Sequence, residues 1–312
     1  MNTLSEYLDQ WLCDYAGPNV TTKTHERYEQ LIHNNIVPVL GNVALDEITP
    51  IQIQSFYSHL LRDGRLDGAG GLSPQTVMHI HRLLRKALAQ AERWEIISRN
   101  PADRVDPPRI PRKEMAALDR EGLARLLASL RGHKLYLPVL IAATTGMRRG
   151  EICGLRWCDI DLDAATLRVN RSMEQTRGRI APKQPKSLKS RREVALAQVT
   201  VEALRVQKAE VLPQPEDLVI TRADGSPFPP DQLSAEFHHH SRRCGFNIRF
   251  HDLRHTHASH LLKDGVPVNV VSQRLGHAEP AITLNVYSHV LPGMQEKAAA
   301  AVDEMMNEVM AG

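Results

Sequence analysis

The chain has 312 residues, 42% hydrophobic and 24% charged, with a formal net charge of +3. That is long enough for two domains with buried cores, and too ordinary in charge for disorder to be the default. Aromatic residues are only 4%, which argues against an all-β sandwich and against binding by extensive base stacking. The cysteines Cys13, Cys153, Cys158 and Cys244 form no C-x-x-C pair, so the chain reads as reduced and cytoplasmic. No signal-peptide pattern opens it. Its longest apolar run, Leu135 to Ala143, is nine residues, against the roughly 20 that a bilayer span needs.

In chain order, Leu4, Leu8, Trp11 and Leu12 recur at helical spacing. The polar stretch Asn19 to Thr24 predicts a cap for a second helix through Tyr28, Leu31 and Ile32, broken at Pro38 and Gly41. Thr49-Pro50 starts a helix carrying Ile53, Phe56, Tyr57 and Leu60. After the Gly-rich loop 63–71, Ser73-Pro74 opens another, with Val77, Ile80, Leu84, Ala87, Leu88 and Ala91 in one stripe. Its other face holds His81, Arg82, Arg85, Lys86 and Arg93. Such a helix packs inward and can meet phosphate outward, through Arg82, Arg85 and Lys86, although a plain amphipathic helix has the same face. Pro107, Pro108 and Pro111 stand among Arg104, Arg109, Arg112 and Lys113, giving a stiff basic linker over residues 103–114.

Asp119 is the expected N-cap of the next helix, which runs to about Leu130, and a further helix is expected from Leu135 to Leu155. Leu167 and Val169, then Val194 and Leu196, alternate with polar residues around Gly178, Pro182 and Pro185, which predicts a small antiparallel sheet. Helical spacing returns from Pro229 to the end. The expected fold is mainly α with a small antiparallel β-sheet: a helical first domain over 1–102, the linker, and an α+β domain over 115–312.

Residues 177–192 hold Arg177, Arg179, Lys183, Lys186, Lys189, Arg191 and Arg192 with no acidic residue, a run that attracts phosphate without regard to sequence. Four short motifs surround it or follow it: T-G-M-R-R-G-E at Thr145 to Glu151, P-K-S at Pro185 to Ser187, H-D-L-R at His251 to Arg254, and L-G-H at Leu275 to His277, with N-V-Y-S-H placing Tyr287 ten residues beyond His277. Each alone is weak, since a lone Arg is usually a surface residue and a lone Tyr usually packs in a core.

As an ordered set they resemble the tyrosine recombinase, or phage integrase, family. The resemblance covers nearly the whole chain, including A-E-R-W-E-I-I-S-R-N-P at 91–101 in what looks like that family's SAM-like core-binding domain. It implies Arg148 as the first catalytic arginine, Lys186 as the hairpin lysine, His251 and Arg254 as the H-x-x-R pair, His277 as the last histidine and Tyr287 as the nucleophile, with Glu151 in support. Lys183 and Lys189 lie three residues to either side of Lys186, so the lysine assignment has neighbours that compete for it.

The residue types suit the chemistry. Guanidinium groups pair bidentately with phosphate oxygens and stay charged. A tyrosine with a reference pKa near 10 needs a base or a positive field; His251 is the candidate base and Lys186 the proton donor to the leaving 5′-oxygen. The product is a 3′-phosphotyrosine, and rejoining needs no nucleotide. No phosphate-loop motif and no carboxylate cluster is present.

The resemblance implies double-stranded DNA as partner, gripped by a two-domain clamp with Lys183, Lys189 and Arg191 among its phosphate contacts, and a homo-tetramer on paired sites, with DNA-bending or directionality factors as possible accessories. It implies no cofactor. A metal site is the sharpest competitor, because His238, His239, His240, His251, His255, His257, His260, His277 and His289 are dense and His251 and His255 are four apart, but no H-E-x-x-H occurs. The other competitors are a type IB topoisomerase-like enzyme and a non-catalytic DNA-binding regulator.

The tail places Val302, Met305, Met306, Val309 and Met310 near one helical face, and in the resembled family a final helix often docks on a neighbouring subunit. Related integrases often carry an N-terminal arm-site domain; here the core-binding-like segment begins almost at Met1, so that domain is expected to be absent or the chain to be a fragment.

Overall fold

A computed structural model of the chain describes residues 3–111, 116–183, 191–287 and 294–311. Two compact units emerge, Met1–Lys113 and Glu114–Gly312.

The first unit is helical. Helix α1 (Leu4–Gln10) starts with a capping box in which Thr3 and Glu6 satisfy each other's backbone N–H groups. It continues through a π-helical segment, Trp11–Ala16, into α2 (Gly17–Asn19). Thr21 caps α3 (Thr22–Leu31). The chain does not break at Pro38: it widens into a π-helical stretch, Ile32–Ile36, and runs on as α4 (Val37–Leu40), with Pro38 in the first turn. A first-turn N–H needs no intrahelical partner, so proline fits there.

Thr49 and Gln52 box the start of α5 (Pro50–Asp63), and Ser73 caps α6 (Pro74–Arg93). Val77, Ile80, Leu84, Ala87, Leu88 and Ala91 are fully buried and pack with Leu4, Tyr7, Leu8 and Trp11 of the opening helix. Arg82, Arg85 and Lys86 are exposed. His81 is not on that outer face: it is buried, with its Nδ1 hydrogen-bonded to the Tyr57 hydroxyl at 3.0 Å. One residue past Ile80 is a rotation of about 100°, which leaves His81 at the edge of the apolar stripe.

In the second unit Asp119 caps α7 (Arg120–Ser129), its Oδ1 accepting the Gly122 N–H at 2.7 Å. The expected helix from Leu135 to Leu155 is two helices. α8 (Tyr136–Thr145) stops at Gly146, φ 68°, and α9 (Arg149–Cys153) begins after Arg148, whose backbone is extended. A Cβ on Gly146 would lie 2.6 Å from Leu275 Cδ2 and 2.8 Å from His257 Cδ2, so both the left-handed turn and the tight packing demand glycine there.

The expected small sheet is likewise two. β1 (Ile160–Asp161), β2 (Thr166–Val169) and a later strand form one sheet, and β3 (Ser172–Thr176) with β4 (Arg179–Lys183) form a separate hairpin. The later strand is β5 (Arg192–Ala195), antiparallel to β2 with Val194 opposite Leu167. Lys186 and Lys189 lie outside the described residues.

The rest is helical: α10 (Gln198–Val211), α11 (Pro230–Arg243), α12 (Asp252–Lys263), α13 (Val268–Leu275), α14 (Pro280–Tyr287) and α15 (Met294–Ala311). α12 packs on α8 and α13, and α13 on α14 and β5. Val302, Met305, Met306, Val309 and Met310 of α15 are exposed. Among the described residues no helix is long and apolar enough to cross a membrane.

Because Ile80 sits fully buried in the middle of the first unit's core, Ile80→Ala should destabilise that unit by about 2–5 kcal/mol. Urea unfolding followed by tryptophan fluorescence measures this, since Trp11 and Trp94 both lie in the unit; an unchanged midpoint would remove the stripe from the core.

Candidate active site

Two glycine turns build the site. Gly146 ends α8 and turns the chain so that Arg148 stands at the cap of α9. Gly276 ends α13, also left-handed at φ 68°, and is followed by His277. The carbonyls of both turns accept hydrogen bonds from guanidinium groups: Gly146 O from Arg254 Nη1 at 2.7 Å, and Gly276 O from Arg148 Nη2 at 3.2 Å. Arg254 lies on α12, so these bonds join the ends of three helices.

Glu151 is the anchor. Its carboxylate accepts from Arg148 Nη1 at 2.9 Å and from the Arg148 backbone N–H at 2.9 Å. It also accepts from both terminal nitrogens of Arg192, at 3.2 and 2.8 Å. The Arg192 and Glu151 side chains are only 6% and 7% exposed. Burial alone would raise the carboxyl pKa; the hydrogen bond and charge of Arg192, with the charge of Arg148, hold it below its ordinary value. Arg192 Nε donates to the Arg274 carbonyl at 2.7 Å, so one strand residue supports both the first arginine and the turn before His277. A Cβ on Gly276 would lie 2.8 Å from Arg192 Nη1, which is why that turn also needs glycine.

Arg254 is 3% exposed, and its Nη2 is buried without a hydrogen-bond partner among the described residues. Loss of hydration, then repulsion by Arg148, lowers its pKa to about 9, so it keeps its charge at neutral pH. A buried guanidinium nitrogen with no acceptor is costly. Here it sits among cations, in a place suited to an anionic oxygen.

Burial and neighbouring cations hold the histidines of the site below their ordinary pKa. His277 accepts or donates at Nδ1 with Thr283 Oγ1, 2.7 Å away, and burial with the charges of Arg254, Arg148 and Arg192 pushes its pKa down to about 4. His257, with Nδ1 against the Ala143 carbonyl at 2.9 Å and Nε2 accepting from Arg274 Nε at 3.1 Å, is also held near 4, first by burial and then by the Arg274 charge. His251 caps α12, open to solvent, with its pKa lowered first by partial loss of hydration and next by Arg254.

Tyr287, at the end of α14, is 1% exposed among Ala258, Leu262, Val271 and Leu275. Burial pushes its phenol up to about 12, against the pull of Arg254. The hydroxyl pairs with Nδ1 of His255 at 2.7 Å. His251, expected to serve it, instead stands edge-on to the His255 ring, 4.9 Å between centroids.

Arg148, Glu151, His251, Arg254, His277 and Tyr287 are thus brought to one region. Lys183, of the basic hairpin, pairs with Glu174 at 2.6 Å, and Arg191 is exposed. In the first unit Arg85 pairs with Asp103 at 2.6 Å, Lys86 lies over the Tyr15 and Tyr28 rings at 5.8 and 5.6 Å, and Arg82 is exposed. Among the described residues no group of His, Cys, Asp or Glu is arranged to hold a metal ion.

Three residues of the site were not singled out by sequence reasoning: Arg192, Arg274 and His255. Period-two spacing in β5 puts Arg192 on the side of buried Val194, which distinguishes it from exposed Arg191. His255, one residue past Arg254, drew notice only as a metal partner of His251.

Removing Arg192 leaves Glu151 buried beside one half-exposed arginine, so Arg192→Met should cost about 3–5 kcal/mol in urea unfolding. Adding Glu151→Gln should recover part of the loss, and a loss under about 1 kcal/mol would mean that the pair holds nothing in place. The pH dependence follows from His255, His257 and His277, each held near 4 from an ordinary 6.5. Between those values the unfolded chain binds protons that the folded chain refuses. Their stabilisation is therefore whole above pH 6.5 and is lost as pH falls towards 4. Equilibrium unfolding across that range should show the decline; a flat profile would contradict the neutral assignments.

A model of the phage integrase family matches residues 117–294, and a model of the phage integrase N-terminal SAM-like domain matches residues 3–61. A XerC-like tyrosine recombinase of Caldanaerobacter subterraneus is 27% identical, the alignment covering 97% of this chain and 83% of that one. The ICEBs1 integrase of Bacillus subtilis is 26% identical over 90% and 78% of the two chains. In fold the chain is similar to the Tn1549 transposon integrase in complex with circular intermediate DNA, with a TM-score of 0.81, 18% identity, and coverage of 98% and 100%. It is also similar to lambda integrase in a tetramer bound to a Holliday junction, with a TM-score of 0.68, 20% identity, and coverage of 90% and 79%. With a family model spanning more than half its length, the chain belongs to the phage integrase family and is a tyrosine-type site-specific recombinase.

Proposed function

We propose that the chain exchanges DNA strands through a 3′-phosphotyrosine formed by Tyr287. Arg148 and Arg254 clamp the scissile phosphate, His277 and His251 flank it, Glu151 holds Arg148 in place, and Lys186 protonates the leaving 5′-oxygen. Residues 1–102 serve as a core-type DNA-binding domain, 103–114 as the linker and 115–312 as the catalytic domain. Each domain binds the duplex, and Arg82, Arg85, Lys86, Lys183, Lys189 and Arg191 meet phosphates along it. Arg85 and Lys183 would exchange an internal carboxylate partner, Asp103 or Glu174, for DNA.

The observation that carries this reading is Arg254. Its charge is buried, one terminal nitrogen is held by a backbone carbonyl and the other has no partner among the described residues. A phosphate oxygen would supply that partner and neutralise the surplus of cations, and the interaction grows as charge builds in a phosphorane-like transition state.

The relatives suggest the setting. An integrase of the ICEBs1 element, a transposon integrase with circular intermediate DNA and a tetrameric integrase on a Holliday junction point to integration or excision of a mobile element by four protomers on paired sites. Such work belongs in the cytoplasm, where the DNA is. In a tetramer, the exposed apolar residues of α15 would dock on a neighbouring protomer.

The test uses a nicked duplex built on a site that the chain selects from a random-sequence pool, so that the cleaved end diffuses away and the adduct accumulates. The unsubstituted protein should yield a denaturation-resistant complex whose nucleotide-linked peptide contains Tyr287. Tyr287→Phe should bind the duplex with unchanged affinity and form no adduct. An adduct on another residue, or full strand exchange by the Phe variant, would overturn the reading; relaxation of plasmids without exchange between two sites would make the chain topoisomerase-like.

A further inference from the structure

We propose that His255, rather than His251, takes the phenolic proton of Tyr287 when the strand is cut. The proposal rests on Tyr287 being the nucleophile. His255 Nδ1 is 2.7 Å from the phenolic oxygen, both side chains are buried, and the contact spans two helices, α12 and α14. That is the reach a general base needs. Among the described residues no hydrogen bond joins His251 to the phenol; at the exposed cap of α12 its ring stands perpendicular to that of His255, 4.9 Å between centroids.

The protonation states fix the direction of the bond. The phenol is protonated at neutral pH, its pKa raised by burial to about 12, while burial, the neighbouring His251 and other charges hold His255 near 4. So the phenol donates, and Nδ1 of a neutral imidazole accepts. The two values are far apart in the free protein, which keeps phenolate from forming there. They cross during the reaction, because a phenolic oxygen that is becoming a phosphate ester oxygen loses its proton readily. Phosphate bound at Arg254 also offsets the positive charge that helps hold His255 neutral.

The step balances. The Tyr287 oxygen bonds to phosphorus as the bond from phosphorus to the 5′-oxygen breaks. The phenolic proton passes to His255 Nδ1, and the 5′-oxygen takes a proton from Lys186. In rejoining, the 5′-hydroxyl attacks, its proton returns to Lys186, and Tyr287 leaves with the proton held on His255. Placement reinforces the chemistry. His255 follows Arg254 directly, so the residue that orients the nucleophile and the one that grips the phosphate share one turn of α12.

The experiment compares the full chain with His255→Ala, His255→Gln, His251→Ala and Lys186→Ala on the selected nicked duplex. The scissile link carries either its normal 5′-oxygen or a bridging 5′-sulfur, which leaves without needing a proton. His255→Ala should slow adduct formation by about 10²–10⁴-fold on both substrates while DNA binding is unchanged. Added imidazole should restore at least about tenfold of that rate, because it can occupy the space of the lost ring and accept the proton. Lys186→Ala should be relieved by the sulfur and not by imidazole.

His255→Gln keeps a hydrogen-bonding group beside the phenol. It should stay as slow as alanine, and it carries the comparison should the alanine variant melt early. Cleavage within about threefold of the unsubstituted rate by His255→Gln, or imidazole rescue of His251→Ala and not of His255→Ala, would overturn the proposal. A Tyr287→Phe protein that still forms the adduct would sink the nucleophile reading itself, an outcome separate from any His255 result.

Discussion

The bidentate pair between Arg192 and Glu151 is the interaction on which the site depends. If Arg148 and Arg254 are both to face one small anion, as proposed, they must be held together, yet two guanidinium groups so held repel each other and lose hydration, and the pKa of Arg254 is lowered accordingly. Glu151 offsets that repulsion at the root, binding Arg148 through side chain and backbone at once. Glu151 is itself buried, and a buried carboxylate is tolerable only when fully paired. Arg192 supplies the pairing, and by binding the Arg274 carbonyl it ties the same ions to the turn that carries His277. An arrangement of this kind contributes little net stability. What it provides is position: on the proposed reading the cations are set before a phosphate arrives, so little reorganisation is left for the moment of reaction.

Backbone carbonyls do the remaining work. Gly146 and Gly276 each end a helix in the left-handed conformation and turn a carbonyl oxygen towards an arginine. A side chain at either would collide, in one case with Leu275 and His257, in the other with Arg192. The glycines of T-G-M-R and L-G-H are thus a geometric need of the clamp, as much a part of it as the arginines that follow the first or donate to the second.

Much of this was legible in the residues. The apolar stripe of α6, the caps at Asp119 and Ser73, the paired strands around Leu167 and Val194, and the motif set all follow from local pattern, and the structure has them. Errors fell where a tertiary contact overrides that pattern. Pro38 reads as a breaker, but a preceding π-helical stretch lets the helix restart with proline in its first turn. The stretch from Leu135 to Leu155 reads as one helix, since nothing local says that Gly146 must make room for Leu275 and His257, over a hundred residues away. His81 reads as outward-facing until Tyr57 is found beside it. In the site, Arg192 is one cation in a basic run, and only the burial of its strand neighbour Val194 tells which face it uses. The partner of Tyr287 was hardest to see, because the contact between His255 and the phenol joins residues 32 positions apart through the packing of α12 against α13 and of α13 against α14.

If Tyr287 is the nucleophile, as proposed, that packing also bears on when it reacts. The Tyr287 ring shares its apolar cluster with Ala258 and Leu262 of α12 and with Val271 and Leu275 of α13, so hydrophobic contacts seat the ring and the hydrogen bond to His255 orients its oxygen. Burial that seats the ring also raises its pKa to about 12, which favours the protonated phenol in the free protein. Exposed tyrosine would ionise more easily and react less selectively. On the proposed mechanism, a nucleophile held protonated against a base held neutral is quiet until phosphorus is within bonding distance, and the proton then becomes mobile because the bond to phosphorus is forming. On this reading the low basicity of His255 and the high pKa of Tyr287 are two sides of one desolvated pocket, and the phosphate that enters between the arginines is the component that makes the pair reactive.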